Sequence, residues 1–299
     1  MGVGGSVTDD LPERTTEVQR VLAEINHTHG TRFSLGPRPS GGVNDVWLLD
    51  EPDGGRAVLK TNAGTLDHLH TTARVVEHLR ARGYPTPRWL FTGQIDDGTT
   101  YHIQDFVPGK LAERPTVTLA RQLIDLIELN AGFDAWPERD LSTHQINQFA
   151  SCVTDLHRAS PEISDVADRY EQLVAQLGRI ELPGGDFVHG DFHWANVLLH
   201  RDQVSGVIDI ESGGSGTRAI DYGRLLRDTY FPHRIPEPGV RQMIRHAGEA
   251  VAGPEVLALC TSAATLDNLR WRVHRRPQRI PAMIPAFLRL ADDLERRCS

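Results

Sequence analysis

Lysine is almost absent. Of the 32 Lys and Arg residues in this 299-residue chain only Lys60 and Lys110 are lysine, and a chain so biased toward Arg keeps Lys where a compact ammonium is required. Cysteine is scarce as well: Cys152, Cys260 and Cys298 are odd in number, far apart and without CxxC spacing, which excludes a disulfide framework and a zinc site and fits a reducing cytoplasm. No run approaches the ~20 apolar residues of a membrane span. Positive charge is not in excess either. With 40 Asp and Glu the net charge is −8, which argues against nucleic acid or an anionic membrane as partner and favours cationic small molecules. The start, Met1 to Ser6, has neither the basic region nor the apolar stretch of a secretory signal; it formally fits the loose myristoylation pattern and reads as a flexible tail. What remains is an ordinary globular composition, 39% hydrophobic and 24% charged, enough for a soluble protein of two modest domains or one two-lobed one.

Hydrophobic periodicity divides the chain. After a tail assigned to residues 1–20, residues 21–107 read mostly as strands: Val46 to Leu49, a turn at Glu51-Pro52-Asp53-Gly54-Gly55, Ala57 to Lys60, then Arg88 to Thr92 and Tyr101 to Phe106. One helix interrupts them, with Leu66, Leu69, Ala73, Val76 and Leu79 at helical steps and a stop at Gly83-Tyr84-Pro85. Beyond Pro108-Gly109 the period becomes 3.6 and continues through residues 108–299, broken by one β-rich island from Phe187 to Ile210, with strand-like runs Val197 to Leu199 and Val204 to Ile210.

That island carries the chemistry. It reads His189-Gly190-Asp191-Phe192-His193-Trp194-Ala195-Asn196 and, after a turn, Ile208-Asp209-Ile210-Glu211. Asp191 precedes Asn196 by five residues and Asp209 by eighteen. A kinase needs this arrangement if one carboxylate orients the acceptor hydroxyl while an amide and a second carboxylate hold Mg²⁺ through hard oxygens. Lys60 ends a strand and Glu77 lies seventeen residues on inside the helix, as a phosphate-reaching lysine and its helical partner would.

These motifs resemble the aminoglycoside phosphotransferase family over residues 40 to 230. The resemblance implies an α+β, protein-kinase-like fold of two lobes, a small β-rich N-lobe with one helix and a larger, mainly helical C-lobe. It implies Asp191 as catalytic base, Asn196 and Asp209 as Mg²⁺ ligands, His189 as a support for the loop, and Lys60 with Glu77 at the phosphates of ATP or GTP. Gly41-Gly42-Val43-Asn44 stands where backbone amides would cover the phosphates, with Gly42 and Asn44 as contacts, though it is neither GxGxxG nor GxxxxGK[ST]. Gln104, Phe106 and Val107 fall where the linker would meet the adenine through backbone groups. Glu211 either neutralises a cationic acceptor or faces solvent, and Asp221 caps the next helix or braces the catalytic loop. His189, His193 and His200 as zinc ligands explain fewer residues than the kinase spacing does.

The acceptor side departs from the family's habit. Trp194-Ala195 replaces a common Pro-Gly, placing a large ring near the acceptor, and the residues before Asp221 lack an acidic Gly-Asp-Pro opening. The implied acceptor is a hydroxyl of an aminoglycoside or similar cationic antibiotic. A metabolic or biosynthetic kinase for an amino alcohol, sugar or other natural product is the alternative, and a catalytically silent nucleotide-binding module a second. Arg270, Arg272, Arg275, Arg276 and Arg279 read as a solvated helix face and loop that could attract an anionic partner.

Overall fold

The computed structural model describes residues 11–37, 46–62 and 64–298. The chain forms two compact units, Met1–Glu77 with Pro87–Val107, and His78–Thr86 with Pro108–Ser299. Residues 78–86, expected with the first lobe, therefore group with the second.

The first unit is built on a five-stranded antiparallel sheet of order β1-β2-β3-β5-β4, with β1 Ser34–Leu35, β2 Val46–Asp50, β3 Arg56–Thr61, β4 Trp89–Gln94 and β5 Thr100–Asp105. Alternation sends Trp47, Leu49, Ala57, Leu59, Tyr101 and Ile103 to one core. The β2–β3 turn closes through Glu51 N–H to the Gly55 carbonyl at 2.9 Å and puts Gly54 at φ +88°, a conformation that glycine adopts without steric cost. Helix α1, Leu11–His29, covers this core with Val18, Val21, Leu22 and Ile25. The tail assigned to residues 1–20 is corrected here. Residues 11–20 are helical because that i, i+3, i+4, i+7 stripe is buried against the sheet, while Met1 to Asp10 lie outside the described residues. Helix α2, Leu66–Ala81, buries Leu69, Val76 and Leu79, the stripe its spacing predicts; the chain turns at Gly83, at φ +89°.

The second unit is helical around two small sheets. Its helices are α3 Val117–Glu128, α4 Leu141–Leu156, α5 Pro161–Gln176, α6 Ala219–Asp228, α7 Val240–Ala252, α8 Pro254–Arg275 and α9 Ile280–Cys298. Strand β6, Lys110–Leu111, pairs with β8, Val197–His200, which pairs with β9, Gln203–Val207; separately β7, Asp186–Val188, pairs with β10, Gly214–Gly216. All ten residues of α6 are buried. Its neighbour α8 comes so close that a Cβ on Gly223 would stand 2.9 Å from the Cys260 carbonyl carbon, so the crossing needs glycine. The run expected as a strand to Ile210 stops at Val207. Asp209 takes φ +64°, which no strand accommodates, and Ile210–Ser212 forms a 3-10 turn. Among the described residues no helix is long and apolar enough to cross a membrane.

Candidate active site

His189-Gly190-Asp191 leaves β7 in a sharp turn. Gly190 has φ +76°, and a Cβ there would meet the Ser212 carbonyl oxygen at 2.4 Å, so glycine is obligatory. Asp221, at the start of α6 and fully buried, clamps the turn from below: one carboxylate oxygen accepts the His189 N–H at 2.8 Å and the other the Gly190 N–H at 3.0 Å. Of the two expected roles for Asp221 the brace is the one observed. Burial pushes its carboxyl up to about 7, against the two backbone hydrogen bonds.

His189 is the second brace. It has no solvent exposure; its Nδ1 lies 3.2 Å from the Asp191 N–H and its Nε2 3.0 Å from the Ile208 carbonyl. With an amide donor on one side and a carbonyl on the other, the neutral tautomer protonated at Nε2 satisfies both. Burial lowers its pKa, which favours that neutral form.

Asp191 stands at the exposed end of this scaffold, its side chain 37% accessible. Asn196 Nδ2 donates to its backbone carbonyl at 3.0 Å and to Oδ2 at 3.1 Å. His193 Nε2 lies 3.4 Å from Oδ2 and Arg224 Nη1 3.7 Å from Oδ1. Burial acts to raise the Asp191 carboxyl, but His193 and then Arg224 outweigh it and hold it well below the usual range. Asp191 is thus a fixed, ionised acceptor. Asp209 follows Ile208, whose N–H donates to the Asn196 carbonyl at 2.9 Å. Asp191, Asn196, His189, Asp221 and the Asp209 backbone are therefore joined by short links within one unit. Asn196 commits its amide nitrogen to Asp191, which leaves its Oδ1, with the Asp209 carboxylate, as the kind of hard oxygen donors that suit Mg²⁺.

Other expectations fare differently. Trp194, expected to present a large ring on the acceptor side, is fully buried, and its Nε1 donates to the Leu225 carbonyl at 3.3 Å. A large indole in a packed core binds the loop to α6. Glu211 is half-buried, and Arg139 donates to its backbone carbonyl at 2.9 Å. In the first unit, Lys60 is buried on β3 opposite Val46 and His102, Glu77 is exposed on α2, Gln104 is buried, and Phe106 and Val107 are half-buried beyond β5. Gly42 and Asn44 lie outside the described residues. Sequence reasoning missed Arg224 as a neighbour of Asp191; its only signal was its place one helical turn after Asp221. Arg224 is also 3.8 Å from Asp267 of α8, which Gln148 Nε2 bonds at 2.8 Å.

A model of the family described as "Phosphotransferase enzyme family" matches residues 34–260. Among solved structures, an aminoglycoside-3'-phosphotransferase of type VIII is 20% identical, with 82% of this chain and 98% of that one covered and a TM-score of 0.60. The aminoglycoside phosphotransferase APH(4)-Ia is 15% identical, with 95% and 99% covered and a TM-score of 0.66. The amicoumacin kinase hAmiN, solved with AMP-PNP, Ca²⁺ and Ami, is 14% identical, with 97% and 96% covered and a TM-score of 0.66. Among curated proteins none matches.

Proposed function

This chain belongs to the phosphotransferase enzyme family, and on that footing we propose that it transfers the terminal phosphoryl group of a nucleoside triphosphate, ATP or GTP, to a hydroxyl of a small molecule. One observation carries the reading: the Asp191 carboxylate, positioned by Asn196 and held ionised by His193 and Arg224, on a turn that Asp221 and His189 anchor. A carboxylate with so little affinity for a proton works first as a hydrogen-bond acceptor. It orients the acceptor hydroxyl for in-line attack and takes its proton late, as the new O–P bond forms and the bond to the nucleoside diphosphate breaks. Asn196 Oδ1 and Asp209 are the groups that would hold Mg²⁺. When bound, the ion supplies charge neutralisation for the phosphate oxygens. Lys60 anchors the phosphates with Glu77 as its support, backbone groups at Gln104, Phe106 and Val107 meet the base, and Gly42 and Asn44 cover the phosphates.

For the acceptor, we favour an aminoglycoside or a similar cationic antibiotic. The net charge of −8 and the substrates named for the structural relatives, hygromycin B and amicoumacin, support it. A metabolic or biosynthetic kinase is the second reading, favoured by Arg234 and Arg272 of the second unit, which among the described residues have no carboxylate within ion-pair distance. The free thiols and a nucleotide donor fit work in the cytoplasm.

The test is phosphoryl transfer from MgATP and MgGTP to a panel of aminoglycosides, peptide antibiotics, amino alcohols and hydroxy acids, with Asp191→Asn as control. Product formed by the wild type and lost in the variant is the expected result. Tight nucleotide binding without transfer to any acceptor would instead point to the silent module. In Asp191→Ala we expect turnover to fall by about 10²-fold or more at nearly unchanged nucleotide affinity.

A further inference from the structure

Of the arginines near the end of α8, Arg275 is exposed as a solvated face requires, but Arg272 is not. Arg272 is only 8% exposed. Its guanidinium carbon lies 5.3 Å from the centre of the Phe231 ring, and that of Arg227 lies 5.4 Å from the same centre. Arg227 is neutralised by Asp228, with Nε and Nη2 at 2.9 and 2.6 Å from Oδ1. Arg272 has no such partner: the side-chain acceptor it meets is the neutral Asn268, through Nε at 2.7 Å. Arg234 is similar. Its Nη1 donates to the Ala112 carbonyl at 3.0 Å, while its Nε is buried without an acceptor among the described residues. Neither Arg234 nor Arg272 has a carboxylate within ion-pair distance among the described residues. The exposed His233 stacks on Phe231 with ring centres 5.6 Å apart, and Arg279 is exposed nearby on the chain.

A guanidinium removed from water costs free energy unless an anion or a full set of acceptors replaces its hydration. Arg227 and Arg272 stand over one ring, and Arg234 follows it by one turn, its backbone N–H on the Phe231 carbonyl at 2.9 Å; the one carboxylate bonded here, Asp228, is committed to Arg227, which leaves three guanidiniums against one bonded carboxylate. Planar guanidiniums are the groups that grip a carboxylate or phosphate with paired N–H donors. Position adds meaning. The Ala112 N–H bonds the Val197 carbonyl at 3.0 Å, next to Asn196, and Arg227 follows Arg224 by one turn of α6. We propose that Arg272, over the Phe231 ring, and Arg234, whose backbone bonds the Phe231 carbonyl, form a site for the anionic group, carboxylate or phosphate monoester, of a small molecule. If that molecule is the acceptor, the inference rests on the second phosphotransferase reading, the metabolic or biosynthetic kinase, and narrows it to acceptors that carry an acidic group.

Inorganic phosphate is the probe, added to the full chain without nucleotide or acceptor and compared with chloride at equal ionic strength. The expected result is a saturable rise in unfolding temperature of about 3 °C or more, abolished in Arg272→Met and reduced in Arg234→Gln. Without phosphate, Arg272→Met is expected to unfold at an equal or higher temperature than the wild type, because an apolar chain of similar length removes an uncompensated buried charge. An Arg272 that serves only packing predicts a lower one. Arg279→Gln, an exposed change that spares the core, separates loss of binding from loss of folding. A rise with phosphate no larger than with chloride, or one unchanged in Arg272→Met and Arg234→Gln, overturns the site. The source of the anion is read from transfer assays. An acceptor's own acidic group makes Arg272→Met raise KM for hydroxy-acid or phosphorylated acceptors at constant kcat, whereas a free effector leaves that KM unchanged and makes phosphate alter kcat. Because the titration contains no nucleotide, it succeeds or fails independently of phosphoryl transfer.

Discussion

Asp221→Asn isolates one buried charge. In the folded protein this carboxyl titrates near 7, raised first by burial, whereas an unfolded Asp titrates near 4. Between those values the native state binds about one more proton than the unfolded state. Stability contributed by this group is therefore full below about pH 4 and lost as pH rises toward 7, at about 1.4 kcal/mol per pH unit and about 4 kcal/mol in all. Above pH 7 the contribution levels off. The asparagine has no proton to lose but keeps only one acceptor for the two N–H donors of His189 and Gly190, and it turns an amide donor against the other. That costs about 1–3 kcal/mol at any pH. The assay is urea unfolding of wild type and variant from pH 5 to 8, read as the difference between their free energies. Subtraction removes the Asp191 contribution, which is lost in acid because that pKa is depressed. The wild-type advantage should shrink by about 2 kcal/mol from pH 5 to 7 and change little above that. A difference that is flat across the range, or that grows with pH, refutes the burial argument.

Three further outcomes are expected. Gly190→Ala forces a Cβ onto the Ser212 carbonyl at a positive φ, so it should lower the unfolding free energy by about 2 kcal/mol or more and abolish activity even where the chain stays folded, as circular dichroism checks. Arg218 binds Glu128 with Nε and Nη2 at 3.1 and 3.0 Å and Asp186 with Nη1 at 3.0 Å, and Asp186 is itself 8% exposed; Arg218→Ala should cost about 3 kcal/mol in urea unfolding by stranding that carboxylate. Burial pushes the Cys152 and Cys260 thiols up to about 12, so a thiol reagent at pH 8 should label half-buried Cys298 first, with the other two reacting only on unfolding, as peptide mapping will show.

Much of the site was legible because its residues are neighbours in sequence. Asp191, Asn196 and Asp209 occupy one short island, and the bonds that hold it, Asn196 to Asp191 and Ile208 to Asn196, join residues no more than twelve positions apart. Periodicity found α2 and the stripes of the second unit for a similar local reason. The first turns of helix α1 are not legible because its apolar stripe begins only at Val18, and the kink at Asp209 is not legible because a hydrophobic run does not reveal one residue in the left-handed region.

By itself, then, the sequence determined the two-part division, the family motifs and the loop that bears the carboxylate, all of which depend on residues within about twenty positions of one another. Tertiary structure alone decided what surrounds them. Arg224 reaches Asp191 from α6, Asp221 clamps the loop across thirty residues, Trp194 turns into the core, and Arg227 and Arg272 meet the Phe231 ring from separate helices. Burial and charge depend on which segments pack together, so they set the pKa of a carboxyl and the partner of a guanidinium only after the chain has folded.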